Sequence, residues 1–168
     1  NEAWHVRGRR QRQMVIRGRV DPDTGEVLVA NQDDDTLSVV SPDTVDGETT
    51  TVLGTTPIRV VFEPEGRYAF VPNRESASVS VVDTEFRRDG ERRPWEVARI
   101  PVGIWPGGTV FDPDGDRAFV ANNKTNDVSV IDVESFVEIG RVDTDYHPDG
   151  IAYRPIPSND STSITDTS

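Results

Sequence analysis

Short runs of alternating apolar and polar residues recur along the chain, each closed by turn-forming residues. In Ser78–Asp83 the side chains Val79 and Val81 alternate with Ser78 and Ser80, the two-residue period of a β-strand. Thr36–Val40 and Asp127–Asp132 repeat the pattern. No stretch sustains the helical period. Ahead of each alternating run stands a second recurring block: Asp21–Asn31, Glu63–Asn73 and Asp112–Asn122 each read acid-Pro, a Gly turn, a β-rich run and a closing Asn. Pro presets φ and Gly takes positive φ, so each acid-Pro-Gly unit predicts a tight turn between two strands.

The spacing of these markers fixes the organisation. Pro22, Pro64, Pro113 and Pro155 lie 42, 49 and 42 residues apart. Asn31, Asn73 and Asn122 follow at 42 and 49, and Pro57, Pro106 and Pro148 at 49 and 42. A single seven-residue insertion within the charged stretch 86–94 explains the long interval. The middle period reads as strand a over Ile58–Glu63, strand b over Arg67–Pro72, strand c over Ser78–Asp83 and strand d over Trp95–Val102. Four strands in each repeat of roughly 40–50 residues mark a β-propeller blade.

The run Pro106–Asp132 resembles the YVTN-type, surface-layer-like β-propeller repeat. Phe119-Val120-Ala121-Asn122 stands where that family has Tyr-Val-Thr-Asn, and Asp127-Val-Ser-Val-Ile-Asp132 follows as its strand c. The resemblance covers about residues 15–155. It implies a propeller fold; for function it spans surface proteins, redox-associated propellers and lactonases.

The expected fold is therefore all-β: propeller blades of four antiparallel strands, three full blades with one stray strand at each end. Residues 1–14 form a basic segment holding a stray strand d, and 15–56, 57–105 and 106–147 form blades 1, 2 and 3, the second carrying insertion 86–94. Residues 148–155 start a further blade, and 156–168 are a Ser/Thr-rich tail too polar to bury surface. Closed propellers have about 4–8 blades, so the expectation is a slice of a larger ring or a protomer completed by association.

Charge and composition narrow the chemistry. The 168 residues carry 18 Lys+Arg against 30 Asp+Glu, a net charge of −12, and no Cys. Without Cys there is no disulfide, thiolate metal site, cysteine nucleophile or covalent c-type haem attachment. Residues 1–20 carry +5 and the remainder −17, so nucleic acid is not an expected partner of the body. The basic run Arg7–Arg12 suits an acidic protein surface better. No apolar run is long enough to span a membrane.

Candidate binding residues follow from the blade geometry, in which d–a and b–c loops gather at one mouth of the channel. Thr56, Trp105 and His147 precede the d–a prolines, and the b–c loops begin at Asn31, Asn73 and Asn122. Trp105 can stack on a ligand, and His147, beside Tyr146, can act as a base or metal ligand; packing and a solvated loop are the plainer roles. Arg17 and Arg59 share one repeat position on the channel strand, filled by Gly108 and Gly150 in later repeats. They suit a small carboxylate or phosphate ligand, or else neutralise acidic rims. Asp33 and Asp35 are weak calcium candidates, since the acidic loop lacks the glycine and closing glutamate of a calcium-binding loop. No nucleophile elbow, phosphate loop or zinc motif occurs. The functional expectation is a non-enzymatic scaffold outside the cytoplasm, extracellular, cell-surface or periplasmic. It would use mouth loops to bind a protein or small anion, with other blades as partners and no cofactor. The alternatives are the propeller portion of a haem- or quinone-associated redox enzyme or a lactonase-like enzyme, or a self-assembling protomer.

Overall fold

A computed structural model describes residues 18–20, 25–40, 49–88, 91–92 and 94–154. All regular elements among them are strands. The first sheet holds β1 (Gly18–Val20), β2 (Val27–Asn31), β3 (Thr36–Val40) and β4 (Thr49–Val52). The second holds β5 (Val61–Phe62), β6 (Tyr68–Asn73), β7 (Ser78–Asp83) and β10 (Trp95–Pro101). The third holds β11 (Pro106–Phe111), β12 (Arg117–Asn122), β13 (Asp127–Asp132) and β14 (Val137–Asp143). Each is an antiparallel meander in chain order, the architecture of successive propeller blades. The stretch between β7 and β10 adds a two-stranded ribbon, β8 (Arg87–Arg88) and β9 (Glu91–Arg92), where the sequence shows only an insertion.

The acid-Pro-Gly units make their turns through the acid itself. The Glu63 carboxylate is buried and accepts the amides of Glu65, Arg67 and Tyr68 at 2.8, 2.7 and 3.1 Å. Asp112 accepts the Arg117 amide at 3.1 Å in the next copy. Gly66 and Gly115 complete the turns at φ 84° and 78°, a region closed to most side chains.

Two apolar layers join the sheets. Leu28, Leu37, Val39 and Leu53 of the first pack against Ala69, Val71 and Val82 of the second. On the other face, Phe70, Val79, Val81 and Ile100 pack against Phe111, Ala118, Val120 and Ile131 of the third. Neighbouring residues thus serve opposite layers, Phe70 one and Val71 the other, as strand pleating requires. All six residues of β7 are buried because both its faces are covered. Phe70 meets Phe111 edge-on at 4.9 Å, and Tyr68 meets Phe136 at 5.1 Å.

The third sheet repeats the apolar pattern, and among the described residues no further blade receives it. Val110, Phe119, Val128, Val130 and Val142 occupy the repeat positions of Val61, Phe70, Val79, Val81 and Ile100. Cross-strand pairing puts Phe119 beside Val110 and Val130, and Val128 beside Val142. None of the five is buried, and Val142 is 57% exposed.

Two strand expectations are corrected. Strand a of the second sheet is shorter than Ile58–Glu63: an isolated bridge pairs Pro57 with Asn73, and the ladder resumes with Val61 opposite Phe70. One extra residue intervenes, a β-bulge, and the third sheet shifts register at the same place, between Pro106 and Thr109. Residues 148–154, expected to begin another blade, form no strand, because no ladder partner lies beside them among the described residues. They lie against β11 instead. Gly108 N donates to Asp149 O at 3.1 Å, and a Cβ on Gly108 would stand 2.5 Å from that oxygen, so only glycine fits. The stray strand expected in 1–14, Arg17, Pro155 and the tail lie outside the described residues.

On the exposed outer strands, Arg99 is paired by Glu96 and Arg141 by Glu138, each through a bidentate bond that raises the guanidinium pKa. The Asp132 carboxyl is held below its ordinary range by the hydroxyl and amide of Ser135.

Phe70→Ala is expected to lower unfolding free energy by about 3–5 kcal/mol through a core cavity. Phe119→Ala, at the same repeat position on the open face, is expected to cost about 1 kcal/mol. Urea denaturation of the two variants checks this; equal losses would contradict an open third sheet.

Candidate functional site

The mouth is built from two sets of loops locked in left-handed backbone. Asp35, Ala77 and Asn126 sit in the b–c turns at φ 57°, 48° and 59°, and Thr56, Trp105 and His147 precede the d–a prolines at 60°, 59° and 57°. Non-glycine residues held there cost of order 1–3 kcal/mol each, so something must hold them. Within each blade the b–c turn carbonyl accepts the amide entering the d–a loop: Asp35 O from Leu53, Ala77 O from Val102, Asn126 O from Thr144, at 2.8, 3.0 and 2.8 Å. Between blades, Thr56 O accepts the Arg74 amide at 2.9 Å and Trp105 O the Asn123 amide at 3.0 Å. Asp35 Oδ1 also accepts the Thr56 amide at 2.8 Å, and Asn126 Oδ1 the His147 amide at 2.9 Å. Ala77 has no side chain to do this; the Trp105 loop keeps the other tie, the Ile104 amide donating to Thr125 Oγ1 at 3.2 Å, which the Thr56 loop also makes through Thr55 and Ser76 Oγ at 3.1 Å.

These bonds sort the sequence candidates. Asn31, Asn73 and Asn122 are structural ties: each Nδ2 donates to two side chains of strand c, Thr36 and Ser38, Ser78 and Ser80, or Asp127 and Ser129. Asn73 and Asn122 are fully buried, beyond reach of a solute at the mouth. Asp35 spends a carboxylate oxygen on Thr56, and among the described residues no three His, Cys, Asp or Glu gather as metal ligands would. Arg59 lies in the bulge of strand a, half-buried. Its Nη2 is 3.9 Å from Asp149 Oδ2 and its Nε is buried without an acceptor. Its counterpart Arg17 lies outside the described residues. His147 is exposed, its backbone tied to Asn126 and its ring 6.5 Å from Tyr146.

Trp105 carries the densest chemistry at the mouth. Lys124 Nζ stands 3.4 Å from its ring centroid, and Arg74 Cζ 5.3 Å. The three come from different loops, Arg74 from the b–c loop of the second sheet, Lys124 from that of the third, and Trp105 from the connection between them. Sequence reasoning singled out Trp105 and passed over the two cations. The available signal was that Lys124 is the chain's only lysine and replaces the acids Asp33 and Glu75 at the same repeat position. On the opposite rim, a cavity of about 410 Å³ opens between the second and third sheets, lined by Glu63, Arg67, Tyr68, Asp114, Glu134 and Phe136 among others.

No family model matches the chain, and a comparison with curated proteins gives no match. Solved structures do match. The chain is similar to Kuenenia stuttgartiensis hydrazine synthase, with 26% identity and a TM-score of 0.69 over 88% of this chain and 42% of that one. It is similar to AztD of Citrobacter koseri, with 16% identity and a TM-score of 0.62 over 87% of this chain and 40% of that one. A third match is the dihydro-heme d1 dehydrogenase NirN, with 22% identity and a TM-score of 0.59 over 79% and 28%. The chain spans less than half the length of each. The β-propeller fold is thereby shown, whereas the finer YVTN-type assignment has no matching family model behind it. The expectation of a non-enzyme is corrected: a hydrazine synthase and a dehydrogenase share this arrangement of blades.

Asn73→Ala should cost about 1–3 kcal/mol, because two strand-c hydroxyls lose a buried donor. Gly103→Ala should also destabilise, since its Cβ would fall 2.6 Å from Asn122 Cβ. Thermal unfolding of both variants checks the structural role; an unchanged midpoint for Asn73→Ala would return that residue to the ligand candidates.

Proposed function

We propose that this chain supplies three consecutive blades of a larger β-propeller belonging to a redox enzyme, with the mouth loops as its binding face. The observation that carries the reading is the likeness to hydrazine synthase, which runs through 88% of the chain at 26% identity. The apolar face of the third sheet, covered only in part by residues 149–153, supports further blades, in the same polypeptide or a partner. Phe119 and Val130 there repeat residues that are core one blade earlier.

The redox group itself does not fit these residues. There is no Cys for covalent haem attachment, and His147, the one histidine among the described residues, stands exposed on a loop without a second axial ligand beside it. The contribution of this segment is therefore positional. Stacked blades hold the mouth loops rigid through backbone bonds, so that a substrate or a cofactor-bearing partner meets a preformed surface. We place the protein outside the cytoplasm. Among its described residues no helix is long and apolar enough to cross a membrane.

The native protein, isolated with its own partners, is expected to carry a visible chromophore whose absorption changes on adding dithionite, and to turn over electrons with an artificial acceptor dye. A colourless native assembly that instead hydrolyses a lactone would overturn the redox reading in favour of hydrolysis.

A further inference from the structure

We propose that Arg74, Trp105 and Lys124 form an oxyanion-binding clamp at the mouth, specific for a carboxylate or phosphate group of the ligand. The proposal rests on the mouth being the binding face and names the chemistry it selects. The two cations approach one indole ring from loops of different blades, at 5.3 and 3.4 Å from its centroid. Cation–π attraction holds each one, yet two like charges at one ring also repel. No salt bridge offsets it: in a chain with 30 acidic residues, no carboxylate among the described residues forms an ion pair with either cation. The Nε of Arg74 is, besides, a buried donor without an acceptor.

The remaining contacts of these loops are spent on the fold. Arg74 and Lys124 donate their amides to Thr56 O and Ile104 O at 2.9 and 3.0 Å, which fixes where both side chains start. Trp105 is locked at φ 59°, which fixes where its side chain starts as well. Arg supplies a planar fork and Lys a mobile point charge, a pairing suited to the oxygens of one anionic group. The apolar ring beside it lowers the local dielectric and strengthens the attraction. The sign of the charge is particular to this junction. At the repeat position of Lys124 the other two b–c loops carry Asp33 and Glu75, so an anion is drawn to this one among the three b–c loops.

The test is a two-dimensional amide and indole NMR titration of the 168-residue chain with inorganic phosphate and, separately, with citrate, at constant low ionic strength. Trp105→Phe identifies the indole signal. The expected result is a saturable shift of that signal, weakened about tenfold or more in Lys124→Gln and in Arg74→Gln. It should be retained in Lys124→Arg and unchanged in Arg99→Gln, whose guanidinium is already engaged by Glu96. Saturation with phosphate alone assigns a phosphoryl ligand, and with citrate alone a carboxylate; either supports the clamp. Shifts that do not saturate, that chloride reproduces, or that survive in both Gln variants overturn it. Saturable shifts confined to Thr56 and His147 also overturn the clamp while leaving the mouth as the binding face. Dispersion of the amide spectrum reports whether each variant is folded.

Discussion

Everything in this molecule depends on a sheet being apolar on both sides. A blade cannot hide its hydrophobic residues within itself. It hides one face against the blade before it and the other against the blade after. Adjacent residues on one strand, Phe70 and Val71, therefore belong to different cores. The consequence is a chain of mutual dependence: the second sheet is well buried only because two others flank it, and β7 with six buried residues is its centre. At the third sheet the same rule leaves the repeat's most apolar positions facing outward, with β14 buried nowhere along its length.

That dependence explains what could be read in the sequence and what could not. Burial on both faces forces the same residues back at the same interval, so the Pro and Asn markers revealed three blades, and the Ser/Val alternation of β7 and β13 located strand c to the residue. The acid-Pro-Gly turns were legible for the same reason, since Glu63 and Asp112 close them by local bonds to amides a few residues on. The bulge in strand a was not legible. It arises from a register shift between two strands, which leaves no trace in the order of residues along one of them. Nor did the sequence suggest that Asn73 and Asn122 are buried ties; an Asn at a strand end reads equally as a loop ligand until its partners on strand c are seen.

The mouth shows how a repeat departs from itself. Its backbone is nearly invariant, with left-handed residues at two positions in each repeat and the same carbonyl–amide bonds between them. The side chains on that frame are free to differ. Asp35 and Asn126 reach across to the next loop, while Ala77 cannot, and the loop that lacks this one side-chain tie is the one that carries Trp105. A loss of one fastening and a reversal of one charge coincide at a single junction. Sequence reasoning weighed the residues at the loop ends, such as Trp105 and His147, and so looked past Arg74 and Lys124, whose contacts with Trp105 come from other loops.

The ribbon β8–β9 shows where extra chain can enter between two paired strands. Asp83 ends β7 directly opposite Trp95, the start of β10, so the two ends of the insertion meet across one ladder rung whatever lies between them. The insertion keeps one tie to the first sheet, where Pro94 O accepts the Thr51 hydroxyl of β4, so added residues belong ahead of Pro94. This junction is consequently a natural graft point: a compact guest domain with neighbouring termini, a fluorescent reporter or an affinity peptide could be spliced there while the host keeps its architecture.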